Sequence, residues 1–242
     1  MRGLIGFLKS IIIYYNPLRY LQLKKFYRQF VAPGDLCFDV GAHVGNRTAA
    51  FMSLGARVVS LEPQRSYYHF LKRLYGRRAT VLPYAAGDRA GTAAIRLSPG
   101  NPTLATLSDS WISKVSTAEN WRGIRWTDTS VVTVVTVDQL IDRFGVPAFI
   151  KIDVEGHEEA VLQGLSSAVN MVSVEFMPAD IGVALLCIGR LDGLGGYEYN
   201  LSFAERARLY SKEWLDSDTL VSVLRDLPRS GPSGDVYARL KQ

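Results

Sequence analysis

The sequence predicts a doubly wound α/β fold with a mostly parallel sheet, preceded by a helical segment and interrupted by an inserted flap. Three observations carry this. From Pro33 onward, short apolar runs alternate with stretches of parallel-crossover length. Two of these runs stop abruptly at an aspartate followed by glycine, at Asp39-Val-Gly and at Asp153-Val-Glu-Gly. Hydrophobic residues make up 48% of the 242, enough for a full core in one large domain and too many for a disordered chain.

The elements follow in order. Met1 to Tyr15 is apolar but broken by Arg2 and Lys9, with no small-residue cleavage site after it, so neither a signal peptide nor a membrane span is expected. Leu4, Leu8, Ile11, Tyr15 and Leu18 recur at helical spacing, Pro17 should bend or break the pattern, and Lys24, Lys25 and Arg28 follow. Residues 1–32 are therefore expected to be a helical segment. It packs across the domain or a second subunit, or touches a membrane surface or lipid-bearing acceptor through residues 1–30. The main domain, 33–242, opens with a turn at Pro33-Gly34-Asp35 and a strand over 36–40. A helix over 47–54 ends at Gly55, a strand covers 57–61, a helix covers 66–75, and a third strand covers 80–84. Residues 92–97 and 131–137 are β-branched or apolar strands flanking a polar, Trp-bearing insertion at 98–129. Its Trp111, Trp121 and Trp126 either stack on a sugar ring or fill the insertion's own core. Asp138 is placed to cap a helix over 139–144. Core strands follow at 149–152 and 172–176, and 196–202 with 235–240 are expected to close the sheet as an antiparallel pair.

Net charge is +5, from dispersed arginines rather than a basic run, so nucleic acid is not an expected partner. Cys37 and Cys187 have no second cysteine at metal or redox spacing, which fits reduced thiols in a protein expected to be cytoplasmic or membrane-peripheral.

Strand ends in such a sheet are where ligands bind. The first strand-to-helix turn reads Asp39-Val-Gly-Ala-His-Val-Gly-Asn46, and Glu62 ends the next strand, placed to bind ribose hydroxyls. A dinucleotide fingerprint needs three glycines; counted from Gly41, the second position is His43 and the third is Asn46. A carboxylate at Asp39 would repel a pyrophosphate and attract the sulfonium and ammonium groups of S-adenosylmethionine. That cofactor is therefore expected on Asp39, Gly41, Ala42, Gly45, Asn46 and Glu62, with Asp88 accepting the adenine amino hydrogen and Asp153 at the methionine end.

Three segments, FDVGAHVGNRT from Phe38, AAGDRAG from Ala85 and VDQLIDRFGVPAFIKIDVEGHEEAVLQG from Val137, resemble the FkbM family of S-adenosylmethionine-dependent methyltransferases. The likeness runs from about Pro33 to Phe176, with a departure at His43, where the family often has Asn. It implies a Rossmann-like class I methyltransferase sheet of about seven strands, the last antiparallel. It also implies methyl transfer to a hydroxyl of a carbohydrate, glycoconjugate or secondary metabolite. Small members include enzymes acting on a deoxysugar such as fucose on lipochitooligosaccharides.

A sugar hydroxyl needs a base or a metal to help remove its proton. His157, Asp153, Glu155 and Glu175 are the candidates. His157 is the first choice for base because its ordinary pKa lies near working pH, although it could instead cap its helix or bond Glu175. Asp153 and Glu175, at neighbouring strand ends, could hold Mg2+. Lys151, inside an apolar strand, either pairs with a strand-end acid or reaches outward.

Overall fold

The computed structural model describes residues 16–118, 121–204 and 206–241. Helix α1 (Pro17–Tyr27) is followed by β1 (Leu36–Val40), α2 (Asn46–Ser53), β2 (Arg57–Leu61), α3 (Arg65–Tyr75) and β3 (Thr80–Leu82). A second small sheet comes next, from β4 (Tyr84–Ala86), β5 (Gly91–Leu97) and β6 (Asp128–Val135), with α4 (Asp109–Val115) between the last two. The chain returns through α5 (Val137–Phe144) to β7 (Phe149–Ile152), α6 (Glu158–Gln163), β8 (Met171–Phe176) and α7 (Ile181–Leu194). It ends with β9 (Tyr197–Phe203), α8 (Ser217–Arg225) and β10 (Gly234–Leu240).

The main sheet has the order β3-β2-β1-β7-β8-β10-β9, with β10 antiparallel to both neighbours and the first five strands parallel. This is the class I methyltransferase arrangement that the resemblance implied. The order reverses between β1 and β7, so the crevice for a ligand opens beyond the carboxyl ends of those two strands.

Alternation along the strands sorts the core into two layers. Phe38, Val40, Ile150, Ile152, Val172 and Val174 pack on one face with α5, α6 and α7. Cys37, Val58, Phe149, Met171 and Tyr237 face α1 and α2. On this second face, strand register aligns Ser60, Asp39, Lys151, Ser173 and Tyr237 in one buried row across five strands.

Several boundaries depart from expectation. Pro17 starts a helix rather than breaking one: it occupies the first turn, where a missing N–H costs nothing, behind Asn16, whose side chain caps Leu18 N. The expected repeat at Leu4, Leu8, Ile11 and Tyr15 lies outside the described residues. Helix α1 buries Leu23, Phe26 and Tyr27 against Phe51, Phe149 and Tyr237, so this part of the segment packs on the domain. Leu18 and Leu21 remain 70% and 58% exposed. The expected strand over 80–84 is two strands in different sheets, divided at Pro83, which has no N–H to donate. Asp138 is not the cap of α5; Thr136 and Gln139 form a capping box there, and Asp138 instead accepts from Ser166 N at 2.9 Å. No helix among the described residues is long and apolar enough to cross a membrane.

Candidate active site

The turn after β1 is shaped by backbone that few residues tolerate. Gly41 and Gly45 have φ of 85° and 81°, and His43 has 48°. A Cβ at Gly41 would overlap the carbonyl oxygen of Asp153, so only glycine lets this loop lie against the end of β7. His43 takes a left-handed conformation that Asn also favours, which explains why it can stand where the family often has Asn.

Asp39 is buried and accepts from Thr48 Oγ1 at 2.5 Å, while Thr48 and Ser60 hydroxyls lie 2.7 Å apart. Burial pushes the Asp39 carboxyl up; the Thr48 bond and the Arg47 charge act against it. Glu62 is also buried, and its two oxygens accept from His43 N and Gln64 N, each at 2.8 Å. Burial outweighs these bonds and raises its pKa to about 7.

The loop after β7 holds the other half of the site. Glu155 has φ of 55° and Gly156 of 85°. Glu158, at the start of α6, turns back so that Oε1 accepts from Val154 N at 3.0 Å and Gly156 N at 3.2 Å. It is a buried brace of the loop, whereas Glu159 bonds Gln163 on the surface. A non-glycine residue held at positive φ by such bracing is a common mark of a functional loop.

Asp153, Glu155 and Glu175 bring carboxylate oxygens within 4.8 Å of one another, the one such group of possible metal ligands among the described residues. Glu155 is an addition to the expected pair of Asp153 and Glu175. Its Oε2 is buried and has no hydrogen-bond partner. Burial and the Asp153 charge drive both Glu155 and Glu175 well above the usual carboxyl range. Burial acts on Asp153 in the same sense, but Lys151 and Arg47 reverse it and hold Asp153 low. A hydrogen bond from Glu175 acts on Asp153 in the same lowering sense.

Lys151 is fully buried, with Nζ 2.8 Å from Asp235 and 3.3 Å from Asp153. It pairs with the strand-end acid and does not reach outward. Asp235 arrives on antiparallel β10, opposite Glu175, and sequence separation hid it.

Two pocket lobes meet here. One is lined by Glu62, Pro63, Gln64, Tyr84, Ala85, Ala86 and His157, the other by Asp39, Ala42, Asn46, Arg47 and Glu175. Gly41, His43, Thr103, Asp153 and Glu155 line both, so the lobes adjoin at these five residues. His157 precedes α6 without capping it and stands beside Gly87, where a Cβ would lie 3.4 Å from its Nε2. Burial lowers its pKa, against Asp88 and Glu159. It belongs to the Glu62 lobe, and Glu175 does not line that lobe. Gly45 packs against Leu71 and Tyr75 rather than lining the cavity, and Asp88 lies outside its lining, exposed and 3.3 Å from Arg89.

The insertion covers the cavity. Thr103, on a short 3-10 turn at Pro102–Leu104, lines both lobes, and Gln64 Nε2 donates to Pro102 O at 3.1 Å. Thr106 Oγ1 donates to Glu155 O at 2.6 Å. Trp111 is 1% exposed and meets Trp121 and Trp126 edge-on. The three tryptophans thus fill the flap's own core, and Trp111 lies so close to Gly156 that a Cβ there would overlap its ring.

The model of the methyltransferase FkbM domain matches residues 39–183. The hexuronic acid methyltransferase AglP of Haloferax volcanii is 27% identical over 152 residues, which span 62% of this chain and 57% of that protein. This chain therefore matches less than two thirds of that relative's length. Similar solved structures include the O-methyltransferase from Bacillus cereus in complex with SAH, at 12% identity and a TM-score of 0.47, covering 100% of this chain and 91% of that one. The magnesium protoporphyrin IX methyltransferase from Synechocystis has 12% identity and a TM-score of 0.48, covering 97% and 84%. The family match takes in the end of β1, the loop after it and all of Asp153, Glu155 and Glu175, more than half of the sequence, and the chain belongs to the FkbM methyltransferase family.

Proposed function

We propose that this protein is an O-methyltransferase that moves the methyl group of S-adenosylmethionine to a sugar hydroxyl. The observation that carries this reading is the pair of adjoining lobes, with a buried acid, Glu62, in one and three converging carboxylates in the other. The residues fit the cofactor: Gly41 and His43 line both lobes through the turn after β1, Glu62 suits ribose hydroxyls, and Asp39 lines the lobe for the zwitterionic end. When bound, the cofactor supplies an electrophilic methyl group on a sulfonium.

The acceptor oxygen forms the new C–O bond as the C–S bond breaks and its electron pair stays on sulfur. Glu155, whose ionised form the positive charge of the bound sulfonium would favour against its raised pKa, takes the hydroxyl proton. It lines both lobes, and its Oε2 has no other partner. We prefer it to His157, which stands on the Glu62 side of the cavity. Asp153, held ionised by Lys151, orients the hydroxyl, and the Thr103 turn keeps water out. Glu155→Gln should lower kcat at least a hundredfold with cofactor affinity within threefold, while His157→Ala keeps most turnover. The reverse pattern would return the base to His157.

The carboxylate geometry favours a second reading of how the hydroxyl is activated. Asp153, Glu155 and Glu175 suit a hard cation such as Mg2+, whose binding would displace their protons. Full activity after thorough chelation rules this out; loss restored by Mg2+ establishes it.

The acceptor class is best tested with labelled S-adenosylmethionine against free fucose, hexuronic acids, glycolipids such as a fucosylated lipochitooligosaccharide, and a macrolide. The relative named for hexuronic acid favours a carbohydrate, and exposed Leu18 and Leu21 on α1 favour a lipid-bearing one. Transfer to the macrolide alone would move the protein to secondary metabolism. Cofactor binding without transfer to any acceptor would leave a noncatalytic binding protein.

A further inference from the structure

The acid lobe contains four carboxylates, Asp39, Asp153, Glu155 and Glu175, and one side-chain cation, Arg47. Such a lobe suits the ammonium and sulfonium of the cofactor but repels its α-carboxylate unless a positive group is aimed at that atom. Arg47 is the second residue of α2, immediately after the Gly41–Gly45 turn, so it stands at the positive end of the helix dipole. Its Nε is buried, and its charge acts on Asp39, Asp153 and His43, which line the same lobe. Lys151, the other cation near these acids, does not line the lobe.

We infer that Arg47, with the N-terminus of α2, binds the α-carboxylate of S-adenosylmethionine and so fixes the methionine end of the cofactor against the acid cluster. The inference rests on the cofactor reading given above and adds the group that sets the cofactor's direction in the cavity. A guanidinium is suited to this because its planar fork meets a carboxylate through two N–H bonds. Four surrounding acids would otherwise leave the carboxylate the worst-placed group of the ligand.

Titration calorimetry with S-adenosylmethionine and with decarboxylated S-adenosylmethionine tests this, because the second ligand differs by the carboxylate alone. The wild-type protein should bind S-adenosylmethionine more tightly, by roughly tenfold or more, as expected for a hydrogen-bonded charge pair. Arg47→Met should lose roughly tenfold to a hundredfold in affinity for S-adenosylmethionine and less than threefold for the decarboxylated form. Arg47→Lys should recover part of the loss. Equal losses for the two ligands, or an unchanged affinity for S-adenosylmethionine, would overturn the assignment while leaving the cofactor reading intact. Should Arg47→Met fail to fold, the wild-type comparison still decides: no preference for the carboxylated ligand overturns the role. Failure of the wild-type protein to bind either ligand would overturn both the role and the cofactor reading.

Discussion

Glu62 is the residue whose environment most directly constrains behaviour in solution. Its carboxyl is buried, and it is pushed up to about 7 although two backbone N–H groups donate to it. Ribose hydroxyls bind best to the ionised form, so cofactor affinity should rise with pH through 7. With that pKa, calorimetry should find Kd roughly tenfold weaker at pH 6 than at pH 8, and Glu62→Gln should remove that step. Glu62→Ala should also weaken binding at pH 8 by tenfold or more; unchanged affinity would sink the ribose role. Asp39, Glu62 and Asp153 were legible in the sequence because each lies at or just beyond the carboxyl end of an apolar strand. Arg47 and Asp235 were not. Arg47 matters only because four acids from other segments surround it, and Asp235 reaches the site on the last strand. Asp88, expected to accept from adenine, lies in an exposed turn 3.3 Å from Arg89, because the strand ends at Leu82 and its apparent continuation joins another sheet.

At the scale of elements, the flap and the loop after β7 depend on each other. Gly156 has φ of 85°, and its missing side chain makes room for Trp111. Gly156→Ala should therefore destabilise the protein by about 1–3 kcal/mol, through left-handed strain plus overlap with the ring. Urea unfolding measures this, and adding Trp111→Leu should recover part of the loss; strictly additive effects would mean that the two residues act separately. The strands on either side of the Trp-bearing segment were readable from their β-branched and apolar residues. Which way the tryptophans point was not, since stacking on a sugar and filling a flap core demand the same residue type.

At the scale of the whole molecule, the polar row across the sheet places Lys151 where a hydrophobic residue would ordinarily pack. Its charge is balanced by Asp153 and Asp235. Lys151→Met leaves both acids without it, and a stability loss of about 3–5 kcal/mol is expected by chemical denaturation. Adding Asp235→Asn should return part of it, and a loss below about 1 kcal/mol would show that the buried pair is not needed. The buried carboxyls also set the pH dependence of stability. Glu62 and Glu158 rise from 4.5 to about 7 on folding, so between those values the folded state holds more protons than the unfolded one. Stability of the cofactor-free protein should therefore fall as pH rises from about 4.5 to 7, seen as a lower Tm at pH 7.5 than at pH 5.5. His43 and His157, lowered by burial, act in the opposite sense, so the variants decide: Glu62→Gln with Glu158→Gln should raise Tm at pH 7.5 relative to pH 5.5, and no such change would contradict the buried carboxyl assignments.

The sequence by itself determined the doubly wound class, most strands to within a residue or two, the cofactor loop and the signature after β7. These are local properties: apolar runs, glycines at turns and acids at strand ends. Tertiary structure decided the rest. It joined β10 to β8 so that Asp235 reaches Lys151, split the third strand at Pro83, folded the tryptophans into the flap, and made a triad of Asp153, Glu155 and Glu175. The physical reason is that a charge's role depends on which other charges share its low-dielectric surroundings, and those neighbours come from strands far apart in the chain.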